Sequence, residues 1–175
     1  MIVKEKIGNI HSLPGLTREI DWLQLEWHEL PKRIMHKRSL AGVDLSIKFM
    51  SEAQQLTQGD ILFEDDTTII AVDILATNVI VIEPVSMYEI ASVCYEIGNK
   101  HLPLFYEQNI LLIPFDLPLF KLLTAQGYQV KQEERKLLQP LKTTVSPHET
   151  GNNNETIFSK IMRMTATSGL SKKEI

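Results

Sequence analysis

Short runs of alternating or β-branched apolar residues fill the first 75 positions, and no segment among them sustains a 3.6-residue period. Residues 2–7 open as β structure, punctuated by Gly8-Asn9. Over residues 21–30, Leu23, Leu25 and Trp27 alternate with Gln24, Glu26 and His28, the pattern of a strand with one apolar and one wet face, ended by Pro31. Residues 34–40 and 43–49 flank Ala41-Gly42 and predict a hairpin. Gln58-Gly59-Asp60 turns the chain into 61–64, and Asp65-Asp66 starts another hairpin into 68–74. The pattern predicts a small all-β domain over residues 1–75.

The period then changes. Val79-Ile80-Val81-Ile82 reads as a buried strand, and Ser86 three residues before Glu89 is a capping box that opens a helix. Ile90, Val93, Cys94 and Ile97 fall at the i, i+3, i+4, i+7 spacing of one buried stripe, and Gly98-Asn99 weakens the helix after it. Residues 102–106 and 110–113 predict two short strands, and 117–125 a second helix with Leu119, Leu122 and Leu123 inward and Gly127 as its C-cap. A last strand fits within 128–138. The order β-α-β-β-α-β is the split arrangement of a ferredoxin-like fold over residues 76–140, so the fold class is α+β. From about Pro140 linker chemistry takes over, in Thr143-Thr144-Val145-Ser146-Pro147 and Gly151-Asn152-Asn153-Asn154, and predicts a flexible tail over 141–175. Ile157, Ile161 and Met164, bracketed by Lys160 and Arg163, form a helical stripe in that tail, either a frayed surface helix or a docking helix.

Composition narrows the classes. The 175 residues are 43% hydrophobic and 23% charged, which excludes a wholly disordered chain. Eighteen Lys plus Arg against 22 Asp plus Glu leave a net charge of -4, which counts against a binder that works by neutralising phosphates. Cys94 is the single cysteine, so no internal disulfide and no structural thiolate zinc site can form, and a reducing compartment is expected. Lys4-Glu5-Lys6 interrupts the N-terminal apolar residues before a signal-peptide core develops, and the apolar stretch 68–82 is broken by Asp73, Thr77 and Asn78. These features predict a cytoplasmic protein without a membrane partner.

Candidate chemistry rests on five histidines: His11, His28, His36, His101 and His148. No Gly-rich phosphate loop, nucleophile elbow or carboxylate grouping signs an enzyme, and Cys94 on the apolar stripe reads as core. His101 follows Ile97 by four residues and emerges where the apolar stripe meets the surface. On position alone it can serve the carbonyl end of the helix dipole or act as a ligand.

Gly98-Asn99-Lys100-His101, preceded by Cys94-Tyr95-Glu96-Ile97, resembles the Gly-Asn-x-His motif of the UreE family of urease accessory proteins, which are nickel metallochaperones. Leu25-Glu26-Trp27, Gln58-Gly59-Asp60-Ile61-Leu62-Phe63 and Ile70-Ala71-Val72 are also similar to that family, and the likeness covers residues 1 to 148. The resemblance implies a homodimer in which each copy places His101 near the symmetry axis to share one Ni²⁺. It implies delivery of that ion through the urease accessory GTPase to apo-urease, with no bond-making chemistry of its own. His148, in Ser146-Pro147-His148-Glu149, matches a tail histidine that completes the nickel shell in some members. Residues 149–175 carry no histidine, unlike the histidine-rich tails of many members, so one tight site per dimer is expected rather than storage. Zn²⁺ and Cu²⁺ suit the same imidazoles and would compete. The family's N-terminal domain resembles a chaperone's peptide-binding domain and implies a role in engaging partners.

Other readings start from other residues. With a turn near Lys32, His28 and His36 would face each other across antiparallel strands as a second metal site, assisted by Glu26. The run Lys32-Arg33 with Lys37-Arg38 reads as a solvated strand face or a docking surface for an acidic partner. From other classes come a small-molecule-sensing regulatory module and an RNA-binding βαββαβ domain using Tyr106 and Tyr128.

Overall fold

The computed structural model describes residues 1–13, 17–50 and 55–141; His148 and the stripe of Ile157, Ile161 and Met164 lie outside them. Up to Ile74 the described residues form seven strands: β1 (Ile2–Val3), β2 (Gly8–Asn9), β3 (Glu19–Leu25), β4 (Ile34–Arg38), β5 (Asp44–Lys48), β6 (Asp60–Glu64) and β7 (Thr68–Ile74). One sheet has the order β1-β5-β4, the other β2-β6-β7-β3. The 34–49 hairpin pairs as its pattern predicts, but β1 joins β5, and β3 joins β7, in parallel. Leu23, Leu25, Leu62, Ile70, Val72 and Ile74 of the larger sheet meet Val3, Met35, Leu45 and Ile47 of the smaller one in a shared core. Of the strand expected over 2–7 only Ile2–Val3 forms, because the chain crosses through Lys4-Glu5-Lys6 to the second sheet and joins it at Gly8–Asn9, where the pattern predicted punctuation.

The motif Gln58-Gly59-Asp60 serves this sandwich. The Gln58 amide donates to Asp73 Oδ1 and accepts from the Ile74 N–H, closing hydrogen bonds that the sheet leaves open. Asp60 is buried and accepts from Lys6 Nζ, Asn9 Nδ2 and the Thr57 N–H at 3.0, 3.0 and 2.7 Å. Between them Gly59 has φ +79°, and a Cβ there would stand 2.8 Å from Ile10 Cγ1, so only glycine fits.

The predicted strand 21–30 stops at Leu25. Trp27–Glu29 is a 3-10 turn in which a Glu29 carboxylate oxygen accepts the Glu26 N–H at 3.1 Å. The alternation fails at Trp27 because its ring is used elsewhere. It packs edge to face on Phe105, with centroids 5.7 Å apart and planes at 83°.

The second half supplies β8 (Thr77–Ile82), α1 (Met87–Asn99), β9 (Phe105–Glu107), β10 (Ile110–Pro114), α2 (Leu117–Ala125) and β11 (Val130–Arg135). Their sheet order β11-β8-β10-β9, antiparallel throughout, is that of a ferredoxin-like unit. Ile80, Ile82, Leu111 and Ile113 face the helices, against Val93 and Ile97 of α1 and Leu119 and Leu123 of α2. Of the stripe expected on α1, Val93 and Ile97 are buried, Cys94 is half-buried, and Ile90 lies at the exposed margin. On the other face Val79, Val81, Phe105, Leu112 and Leu137 are buried with Trp27 packed against them. Ser86 Oγ accepts the Glu89 N–H at 3.2 Å, as a capping box requires, but the Glu89 carboxylate reaches one residue further back, to the Val85 N–H.

Two acids tie the segments. Glu29 accepts from Lys37 Nζ at 2.7 Å with Lys32 at 3.6 Å, and Asp73 pairs with Lys136 from beyond β11. Burial pushes both carboxyls up, but the lysines and the remaining hydrogen bonds outweigh it and hold both below their ordinary range.

Gly59→Ala is expected to lose at least about 2 kcal/mol of unfolding free energy, through left-handed strain and the contact with Ile10; urea denaturation reads it, and an unchanged midpoint would count against the turn's role. Because the Glu29 and Asp73 carboxyls are lowered on folding, their stabilisation is present above about pH 4.5 and lost as pH falls through the lowered values. The urea midpoint should fall across that range, and less steeply in a Glu29→Gln/Asp73→Asn double variant.

Candidate metal centre

The C-terminal end of α1 is built by main-chain hydrogen bonds. The His101 N–H donates to Gly98 O at 3.0 Å and the Leu102 N–H to Ile97 O at 3.3 Å, the paired closure of a Schellman motif. Leu102 packs into the cluster that holds Ile97, completing the motif's apolar contact. The left-handed position of such a cap favours glycine, yet here it is His101, with φ +53°. A non-glycine residue there costs roughly 1–2 kcal/mol, with histidine among the better-tolerated types. Gly98, by contrast, sits inside the helix, where glycine costs about 1 kcal/mol relative to alanine. The two residues are in each other's preferred places.

His101 is solvent-exposed on this fixed backbone. Leading to it, the outer face of α1 carries Met87, Tyr88, Ala91, Tyr95 and Gly98, all exposed and none charged. Tyr88 is 80% and Tyr95 71% exposed, so the helix is apolar on the side turned away from its sheet as well as on the side turned toward it. Helices of that kind are normally covered on both sides.

The other described histidines do not gather. His28 lies in the turn after β3, its ring edge-on to Trp27 at 5.5 Å. His36 is on β4 opposite Ser46, whose Oγ is 2.8 Å from His36 Nδ1. The facing pair expected of His28 and His36 is therefore not formed, because the segment before Pro31 is a 3-10 turn rather than a strand. His11 is exposed in a short turn capped by Asn9. Among the described residues no group of three His, Cys, Asp or Glu side chains is placed to hold a metal ion. Any site using His101 must draw its remaining ligands from elsewhere.

Packing bears on further expectations. Lys32 and Lys37 pair with Glu29, and Arg38 with Asp44 at 2.7 and 2.8 Å, so much of the basic run is matched by acids of its own chain. Burial pushes the half-buried Cys94 thiol up, away from reactive thiolate. Tyr128 packs with the helices and its hydroxyl donates to Ser92 of α1 at 2.8 Å, while the sheet face away from the helices is filled by Val79, Val81, Leu112 and Leu137. Tyr106, 44% exposed on β9, is paired with Leu111 of the helix-side cluster, so among the described residues the two tyrosines do not lie on that face.

Sequence comparison shows the family. Residues 3–75 match the N-terminal domain, and residues 77–156 the C-terminal domain, of the UreE urease accessory protein family. A urease accessory protein UreE of Flavobacterium johnsoniae is 40% identical over 164 residues, which is 94% of this chain and 99% of that protein. One from Helicobacter pylori strain G27 is 38% identical over 87% of this chain and 92% of its own length, and one from Actinobacillus pleuropneumoniae 34% over 81% and 78%. The chain belongs to the UreE family of urease accessory proteins. These are accessory proteins and not urease itself.

His101→Gly should be as stable as the parent or more stable by up to about 1 kcal/mol, whereas His101→Val should fall below both, since β-branched residues tolerate positive φ poorly. Thermal unfolding of the metal-free proteins checks the order; a valine variant more stable than the glycine one would contradict the cap.

Proposed function

We propose that the chain is a metallochaperone that binds Ni²⁺ as cargo and delivers it for assembly of the urease active site. The observation that carries this reading is His101, an exposed imidazole held on a fixed helix end, within Gly98-Asn99-Lys100-His101 of a UreE-family chain. One imidazole holds a divalent ion weakly. A two-fold interface repeats every residue, so two copies meeting near His101 supply two ligands from one position. The uncharged outer face of α1 that ends there supports such a homodimer.

His148 is the second proposed ligand. It lies outside the described residues, but the family's C-terminal match runs to residue 156 and includes it. In this reading residues 1–75 help engage partners, 76–140 carry the metal, and 141–175 contribute His148. The partners are the urease accessory GTPase and the apo-urease complex, with no role for nucleic acid. The chain makes and breaks no covalent bond. Nickel suits imidazole, Zn²⁺ fits the same donors, and Cu²⁺ binds them more tightly, so both compete and selectivity follows metal supply and the receiving partner. Among the described residues no helix is long and apolar enough to cross a membrane, and with Cys94 as the lone cysteine we place the protein in the cytoplasm.

Nickel calorimetry combined with light scattering tests the proposal on the parent, His101→Gly and His148→Ala. The expected outcome is one Ni²⁺ per dimer in the parent, binding lost in His101→Gly while the dimer survives, and weaker binding in His148→Ala. Affinity should fall as pH drops, because a protonated imidazole cannot ligate. Equal binding by the parent and His101→Gly, or flat affinity from about pH 8 to 5, would overturn it. A metal-independent small molecule that stabilises the dimer, with no nickel uptake, would favour a regulatory module.

A further inference from the structure

The chain does not leave the ferredoxin-like sheet at the edge where its last strand ends. β11 is one edge of that sheet and β9 the other, three strand spacings or about 14 Å away. Residues 136–141 cross this width on the face turned away from the helices. Lys136 begins the crossing in its pair with Asp73, and Leu137 is fully buried with Val79, Val81, Phe105 and Leu112. The crossing ends in an antiparallel bridge of Pro140 to Phe105. On either side of it the Tyr106 N–H donates to Gln139 O at 3.0 Å and the Leu141 N–H to Leu104 O at 2.8 Å. A pair flanked in this way uses no N–H of its own in the ladder, so proline costs nothing there. Leu104 is three residues after His101, no more than about 11 Å of chain.

We propose that residues 136–141 are a strap that starts the rest of the chain at the His101 edge of the sheet, making His148 a short-tethered ligand for the ion that His101 holds, with Leu137 as the positioning residue. This deepens the nickel reading above and rests on it. Seven residues separate Leu141 from His148 and can span up to about 25 Å, against roughly 16 Å at most between Leu141 and His101. Without the strap the tether would run from Arg135 at the far edge and be six residues longer. The local concentration of a tethered ligand is highest when the tether matches the span, and beyond that it falls roughly as the −3/2 power of tether length. The strap thus raises affinity without adding a contact to the metal.

The test separates this from a strap that only covers the sheet. Nickel calorimetry on the full chain compares the parent, Leu137→Ala, Leu141→Pro and a variant with about fourteen Gly/Ser residues inserted after Lys142, each with and without His148→Ala. Leu141→Pro removes only the N–H to Leu104 O, at a side chain 43% exposed, so it serves if Leu137→Ala folds poorly. Amide exchange at Tyr106 in the metal-free proteins reads the strap directly: protected in the parent and the spacer variant, faster in Leu137→Ala and Leu141→Pro. Affinity should fall about two- to threefold in those two and about fivefold with the spacer, which triples the tether, and none of the changes should matter once His148 is alanine. An unprotected Tyr106 amide in the parent, strap or spacer variants that bind as the parent does, or losses that persist beside His148→Ala would overturn the strap's role and leave the metallochaperone reading standing. A His148→Ala variant as tight as the parent would overturn the strap and the part of His148 together, leaving His101; a parent that binds no nickel would overturn the whole reading.

Discussion

The strand Val79-Ile80-Val81-Ile82 is apolar on both faces, and all four residues are at most 1% exposed. A sheet with such a centre must be covered twice, and most of the second half of the molecule follows from that requirement. The helices α1 and α2 cover one face through Val93, Ile97, Leu119 and Leu123. Leu137 and Phe105 fill the other, and Trp27 reaches it from the sandwich side of the chain. Each side chain of this kind contributes about 1.5–3 kcal/mol when fully buried, so the two covers are the main anchors of the unit. Once Val93 and Ile97 are inward, α1 can turn only one set of residues to solvent. That set leads to His101.

The elements that were legible in the sequence are those whose signals are local. The apolar run of β8, the 3.6-residue period of α1, Ser86 with Glu89, the Ala41-Gly42 hairpin and Gly127 after α2 each appear where their chemistry places them. What escaped depends on distant partners. The parallel pairing of β3 with β7 spans some forty intervening residues, and nothing in either strand's composition names the other. Trp27 continues an apolar alternation, yet its ring belongs to a cluster whose other members begin at Val79. His28 and His36 looked like a facing pair only while the chain between them was read as a two-strand turn. The buried acids Asp21 and Asp60 gave no warning either, because their partners, the Ala41 N–H for one and Lys6, Asn9 and Thr57 for the other, are set by folding.

The candidate site was legible for a different reason. His101 was found through a motif and its place after the helix stripe, not through any cluster of ligands, since the described residues contain none. Its left-handed backbone had one faint sign beforehand. Helices prefer glycine after their last turn, and this one places glycine three residues too early and histidine where glycine belongs. Two small penalties so close together, with no compensation among the described residues, mark a place where folding preference yields to another demand. The same logic separates the two motifs. Gln58-Gly59-Asp60 is entirely accounted for by hydrogen bonds and close packing, whereas Gly98 and His101 are not.

The outer face of α1, open among the described residues, also bears on the life of the protein in a cell. On the proposed pairing, a newly made copy that has not met another shows Met87, Tyr88 and Tyr95 to its surroundings. Exposed apolar surface of this sort is what quality-control machinery recognises. On that pairing mass action would hide the face as copies accumulate, and survival of the chain would rise with its own abundance. Scarcity then feeds on itself: a cell that makes too little of this protein would also clear a larger share of what it makes.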